Sequence, residues 1–184
     1  MRAIQATEFG GPEVLAEVEL PAPAAGPGQV VVAVEVAAID FVQTQLRRGF
    51  TPGPPLPELP YVPGATVSGE ARSVGEGVDE QWVGRRVVTR TVNALGAYAE
   101  LAVSDVDSLV VVPDGLGLAE AAALHDDGST AIGLMNRAAV RPGEWVLVEA
   151  AGGGRGQLAG AARRRGRGAG DRRGEGEPEA GTGP

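Results

Sequence analysis

Cysteine is absent from this 184-residue chain, and histidine occurs once, as His125. Disulfides are therefore excluded, and a zinc site built from Cys and His ligands cannot be assembled. Lysine is missing too, so all 16 basic residues are arginine, a bias expected of GC-rich coding sequence. No apolar run approaches the roughly 20 residues that a membrane-spanning helix needs, and the N-terminus has no charged-then-apolar leader pattern. The expected compartment is the cytoplasm, with no membrane partner. The net charge is −8, yet the residues after Gly154 hold seven arginines against four acids, so the body carries −11. An acidic body repels phosphate backbones, which argues against a nucleic-acid partner. The length allows one ordinary domain with part of a second, and not two complete ones.

What is present is organised around residues 142–156, PGEWVLVEAAGGGRG. Pro142-Gly143 signals a turn, Trp145–Val148 is a short apolar run of strand formers, and Gly152, Gly153 and Gly154 follow at once. This order predicts a buried strand that hands over to a glycine turn. Glycines there let backbone N–H groups approach a pyrophosphate, and the N-terminus of a following helix adds the favourable end of its dipole. The spacing departs from G-x-G-x-x-G, so the turn alone does not specify a nucleotide site.

Upstream, residues 1–7 and 13–20 read as two strands joined through Gly10-Gly11-Pro12. Val30, Val32, Val34 and Val36 alternate along one face of a longer strand, as in a half-buried antiparallel sheet or barrel. Residues 40–48 switch to helical spacing, with Asp40 placed to cap, Phe41 and Gln45 on one face, and Gly49 as the stop. Residues 52–63 are too rich in proline for a helix or central strand. Further strands are expected in 64–75, 83–92 and 96–103, and short strands separated by glycine turns argue for a partly open β-barrel. Leu118–Leu124 is a good helix former, His125-Asp126-Asp127-Gly128 should interrupt it, and 128–140 resumes it with Ile132, Leu134 and Met135 as core candidates. Asp126 and Asp127, being adjacent, are expected to form a solvated cap rather than a carboxylate pair facing one pocket. His125 lacks a recognisable Ser or Cys partner and is expected at a helix end or in a loop.

Several of these segments are similar in detail to one family. FGGPEVL (9–15), the F-x-x-T-x-x-R-x-G of Phe41, Thr44, Arg47 and Gly49, GAYAE (96–100), VVVPDG (110–115), the G-x-T-A of Gly128, Thr130 and Ala131, and the A-A-x-G-G-x-G of Ala150, Ala151, Gly153, Gly154 and Gly156 carry the likeness. They resemble the zinc-independent quinone oxidoreductases, the zeta-crystallin-like branch of the medium-chain dehydrogenase/reductase superfamily. The resemblance covers residues 1–156. It implies a mainly β fold with some α: a GroES-like catalytic-type domain over 1–115, then the first helices and first strand of an incomplete Rossmann domain over 116–156. It also implies metal-free hydride transfer from NADPH to a small-molecule quinone or enone by positioning and hydrogen-bond polarisation, and it is compatible with a homodimer. Asp40 and Gln45 fall at the family's catalytic positions, and Thr44, Asp127, Thr130, Gly153, Gly154 and Gly156 at its cofactor-binding positions. For Thr130, back-bonding within its helix is an equal expectation.

The departures bear on chemistry. Asp40 stands where the family has Asn, Gln45 where it has Tyr, Thr66 where it has Glu, Asp127 where it has Gln, and Arg155 where it has a small apolar residue. An Asn amide can donate to a carbonyl oxygen, whereas an ionised Asp can only accept. An Asp40 that lines the pocket would stabilise a quinone-type oxygen poorly; a helix-capping Asp40 at the surface is the other reading.

Beyond Gly156 the resemblance stops. Leu158 is the only large aliphatic residue after Arg155, so residues 157–184 cannot bury enough surface to offset the entropy of ordering and should be disordered. Arg163–Gly168 is like an RNA-binding arm, but no aromatic residue is present for base stacking and acids follow closely. An out-of-frame reading of GC-rich coding sequence accounts for the tail better. With so little of a nucleotide domain, cofactor binding is expected to be weak or absent and turnover small. The rival expectation is a non-enzymatic β-barrel module that associates through an uncovered strand at Trp145–Val148.

Overall fold

The valine-rich segment forms one nine-residue strand, Gln29–Ala37, in a computed structural model that describes residues 1–51, 53, 55–141 and 144–166. The chain divides into two units, Met1–Asp126 and Asp127–Pro184. The first contains β1 (Arg2–Ala6), β2 (Leu15–Glu19), β3 (Gln29–Ala37), α1 (Phe41–Arg47), β4 (Thr66–Val74), β5 (Arg86–Arg90), β6 (Leu101–Asp105) and β7 (Val110–Val111). A long helix, α2 (Leu118–Ala138), runs through the division, and α3 (Gly154–Gly166) belongs to the second unit.

β1 and β2 pair with each other, and the other five strands form an antiparallel sheet in the order β6-β3-β4-β5-β7. Two strands separate β5 from β6, so a flat sheet would hold them about 14 Å apart. Instead the Thr89 and Ser104 hydroxyls are 2.5 Å apart, and Ser104 donates to the Arg90 carbonyl at 2.6 Å. The sheet is therefore curled into a partly open barrel around Val30, Val32, Val67, Val87 and Ala102. Thr89 and Ser104 are fully buried inside it, and they satisfy each other. The β1–β2 pair joins one rim, where Ile4 N–H donates to Tyr98 O at 2.7 Å, Glu100 N–H to Arg2 O at 3.1 Å, and Arg2 Nε to Glu100 Oε1 at 2.8 Å.

β3 and β4 slip register between Val31 and Val32 and again between Val34 and Val36, and such bulges bend a strand. Gly69 sits opposite the second slip, and a Cβ there would overlap the Ala33 carbonyl oxygen. On the outer face of β4 and β5, Ser68 Oγ donates to Leu118 O at 2.7 Å, and Val88 and Val112 pack with Ala121, Leu116 and Leu118. The start of α2 is seated there.

Three expectations are corrected. His125-Asp126-Asp127-Gly128 does not interrupt the helix, because α2 is continuous over 21 residues. One glycine inside a nucleated helix costs only about 1 kcal/mol, and the Asp126 side chain has a partner on β4 rather than a cap to make. Ile132 and Leu134 are exposed rather than core residues, and Met135 is only half-buried. Trp145–Val148 forms no helix and no strand ladder, with Trp145 98% and Leu147 86% exposed. A strand is held by its neighbours' hydrogen bonds, and no described residue pairs with this segment.

The tail also differs from expectation. Disorder is expected from residue 157, but α3 extends to Gly166, with Ala159 buried and Leu158 half-buried. Gln, Leu, Ala and Arg are all good helix formers, and that local preference outweighs the missing apolar period. The remaining tail, 167–184, and the Pro142-Gly143 turn lie outside the described residues. Among the described residues, no helix is long and apolar enough to cross a membrane.

Candidate functional site

Asp40 occupies the N-cap position of α1 with extended backbone (φ −87°, ψ 152°), yet its carboxylate makes no capping hydrogen bond. Capping therefore does not account for it. Thr44 Oγ1 donates to Phe41 O at 2.7 Å and accepts from Gln45 Nε2 at 3.2 Å, so both of these candidates bond within the helix. The residue that seats α1 is Gln43. It is buried, its Oε1 accepts from Gly64 N–H at 3.0 Å, and its Nε2 donates to Ala94 O at 3.4 Å. Sequence reasoning missed it, because the sequence does not set Gln43 apart from the other polar residues of α1, whose apolar Phe41 and Val42 are exposed. Gln43→Leu leaves the Gly64 N–H buried without its acceptor, and a loss of about 1–3 kcal/mol in urea unfolding is expected. A variant as stable as the parent would remove Gln43 as the anchor.

Gly64, with φ +93°, allows the Tyr98 ring and Ala97 to lie where a Cβ would be. Burial pushes the Tyr98 phenol up from its ordinary pKa, the Asp40 charge pushes the same way, and Arg47 opposes them. Burial likewise raises Tyr61, with Arg47 opposing, and the buried Tyr61 hydroxyl has no hydrogen-bond partner among the described residues. Both phenols thus stay protonated at neutral pH and keep an O–H to donate. Tyr98 also lines a groove of about 540 Å³ together with Ile4, Leu15, Val34, Ala37 and Ile39. Asp40, Thr44 and Gln45 are not among its lining residues.

On the outer face of the barrel, Thr66 Oγ1 donates to Asp126 Oδ2 at 2.6 Å, and Arg90 Nη1 lies 3.7 Å from Asp126 Oδ1. His125 Nδ1 is 3.4 Å from the same oxygen, without hydrogen-bond geometry. The adjacent His125 ring, the Thr66 hydroxyl and Arg90 hold the Asp126 carboxyl down to about 2, although partial burial acts the other way. Asp126 is therefore a structural carboxylate and not a solvated cap. Thr66, at the position where the family motif has Glu, is here the partner of a carboxylate rather than its source.

In the second unit, Arg155 Nε donates to Asp127 Oδ1 at 2.9 Å. Gly154 is the first residue of α3, and a Cβ on it would overlap the Asp127 carboxylate. A Cβ on Gly156 would lie 2.6 Å from Ala150 O and Ala151 Cα, so the turn backbone passes very close to itself. Gly153 N–H closes that turn on Ala150 O at 3.0 Å. Thr130 follows Asp127 by three residues on α2 and is half-buried. A pyrophosphate set against the first amides of α3 would meet the Asp127 carboxylate, so the turn as it stands does not fit a dinucleotide.

Residues 26–114 match the family described as the alcohol dehydrogenase GroES-like domain. The quinone oxidoreductase of Rattus norvegicus is 40% identical over 160 residues, which cover 85% of this chain and 47% of that protein. This chain matches the quinone oxidoreductase branch of the medium-chain dehydrogenase/reductase superfamily. The structure of Escherichia coli quinone oxidoreductase complexed with NADPH is similar with a TM-score of 0.80 at 30% identity, over 90% of this chain and 50% of that one. Human synaptic vesicle membrane protein VAT-1 homolog-like protein is similar with a TM-score of 0.83 at 29% identity, over 90% and 52%. The chain spans about half the length of the quinone oxidoreductases it matches. Of the residues that the family motifs single out, Thr44 and Gln45 lie in α1 and Asp40 at its N-cap, all in the first unit. Asp127, Thr130, Gly153, Gly154 and Gly156 belong to the second.

Proposed function

We propose that this chain is the barrel-side part of a metal-free reductase of quinones or enones that uses a pyridine nucleotide and holds that nucleotide weakly. The observation that carries the reading is the order of parts: a curled barrel with α1 at its edge, then a glycine turn opening a helix, in a chain similar to a quinone oxidoreductase solved with NADPH. A pyridine nucleotide supplies hydride in such a reaction. On the substrate side, Asp40 cannot donate to a carbonyl oxygen while ionised. Tyr98 can, because its phenol stays protonated, and Tyr98 lines a groove that also carries Arg2, Glu17, Glu35 and Glu100. Gln45 retains one amide hydrogen beyond the bond to Thr44, but it does not line that groove. Asp40 and Gln45 remain the residues proposed to act on substrate by position in the motif, with Thr44, Asp127, Thr130 and the glycines proposed on the nucleotide side.

Titrating the full chain with NADPH by fluorescence, and following NADPH consumption with 1,4-benzoquinone, tests this reading. Affinity weaker than micromolar with slow consumption is expected, and micromolar affinity would overturn the weak hold. A second reading has its own support: Trp145 and Leu147 are almost fully exposed on a segment of strand-forming residues without a ladder. Such a segment invites pairing with a second copy. Concentration-dependent sedimentation with no NADPH consumption would favour a non-enzymatic association module.

A further inference from the structure

The position that a pyrophosphate needs at the start of α3 is held by the chain's own carboxylate. We infer that Asp127 closes the glycine turn against anions, so that dinucleotide binding requires the Asp127–Arg155 pair to open. The inference rests on the nucleotide-side reading above and says which residue sets its affinity. Three observations converge within the second unit. Arg155 Nε donates to Asp127 Oδ1 at 2.9 Å. The other carboxylate oxygen lies over the Gly154 Cα, in the space that a side chain at the first residue of α3 would fill. The glycine turn is itself closed by Gly153 N–H on Ala150 O at 3.0 Å, immediately before the first residue of α3.

The electrostatics follow. The N-terminus of a 13-residue helix favours one negative charge close by, and Asp127 supplies it. A phosphate arriving at the same point meets like charge at contact distance and an Arg155 whose guanidinium is already paired. Removing the Asp127 charge reverses both effects, because the repulsion disappears and Arg155 becomes a free cation beside the turn. Asp127 and Arg155 are both partly exposed, at 36% and 58% of the side chain, so the pair can open without unfolding the helix.

Two probes applied to the parent, Asp127→Asn and Arg155→Ala test this, with circular dichroism to establish that each variant is folded. Inorganic pyrophosphate decides the inference. It should raise the melting temperature of Asp127→Asn and leave the parent and Arg155→Ala unmoved. An equal response from the parent and Asp127→Asn overturns the closed turn, and so does an equal gain in Arg155→Ala, which keeps the carboxylate. NADPH decides the reading beneath it. Asp127→Asn should bind at least tenfold tighter than the parent by fluorescence titration. If pyrophosphate distinguishes the variants while NADPH binds none of them, the closed turn stands and the nucleotide reading falls. If NADPH and pyrophosphate both bind the parent as tightly as the variant, the nucleotide reading stands and the closed turn falls.

Discussion

Gly69→Ala is expected to lower stability by about 3 kcal/mol and the melting temperature by about 6–12 °C. The added methyl has nowhere to go. It overlaps the Ala33 carbonyl oxygen, which is backbone in the neighbouring strand and cannot rotate away as a side-chain tip would. Ala33 and Gly69 lie on the most extensively paired strands of the barrel, beside the register slip between Val34 and Val36. Relieving the clash therefore means separating β3 from β4. Gly77→Ala provides the comparison, because Gly77 has φ +80° but open space around it. Its cost should be confined to the left-handed backbone, about 1 kcal/mol. Thermal unfolding of the two variants checks the difference. Equal losses would mean that close strand approach is not what Gly69 provides.

The second large effect concerns Asp126. Asp126→Ala removes the acceptor of a fully buried Thr66 hydroxyl and the counter-charge of Arg90. A loss of about 2–3 kcal/mol at pH 7 is expected, most of it from the stranded hydroxyl and the lost charge-assisted bond. The same carboxylate gives stability a pH dependence. Its folded value of about 2 lies below the ordinary 3.8, so the unfolded chain takes up the proton first. The contribution is complete above pH about 4 and is lost as pH falls towards 2. In urea titrations at a series of pH values, the stability gap between the parent and Asp126→Asn should narrow across that interval. A gap that stays constant down to pH 2 would rule out an ionised Asp126 as the source.

Much of the barrel was legible because local pattern and final burial agree. Val30, Val32 and Val34 alternate and pack against the core, and the hairpin around Gly10-Gly11-Pro12 needs only neighbouring residues to form. Other features depended on partners far away in sequence. His125-Asp126-Asp127-Gly128 looks like a helix break until Thr66, sixty residues earlier, is seen to bond Asp126. Gln43 looks like any polar residue on a helix surface until Gly64 and Ala94 are found on its two ends. Trp145–Val148 failed in the opposite direction, since strand-forming residues do not make a strand where no described residue pairs with them. At α3, helix preference decided the outcome where apolar periodicity was absent. Among the candidate site residues, the glycines and Asp127 could be located from the motif. That Asp127 would turn its carboxylate onto Gly154 and pair with Arg155 required coordinates.

The two tryptophans of the chain fall one to each unit. Trp82 packs against the barrel core with the Arg85 guanidinium 5.8 Å from its ring centre, whereas Trp145 is surrounded almost wholly by solvent. Their emission bands therefore belong to unlike surroundings, one shielded and one open to collisional quenchers. The molecule carries an indole in each half, and a polar quencher added to solution should reach Trp145 far more readily than Trp82.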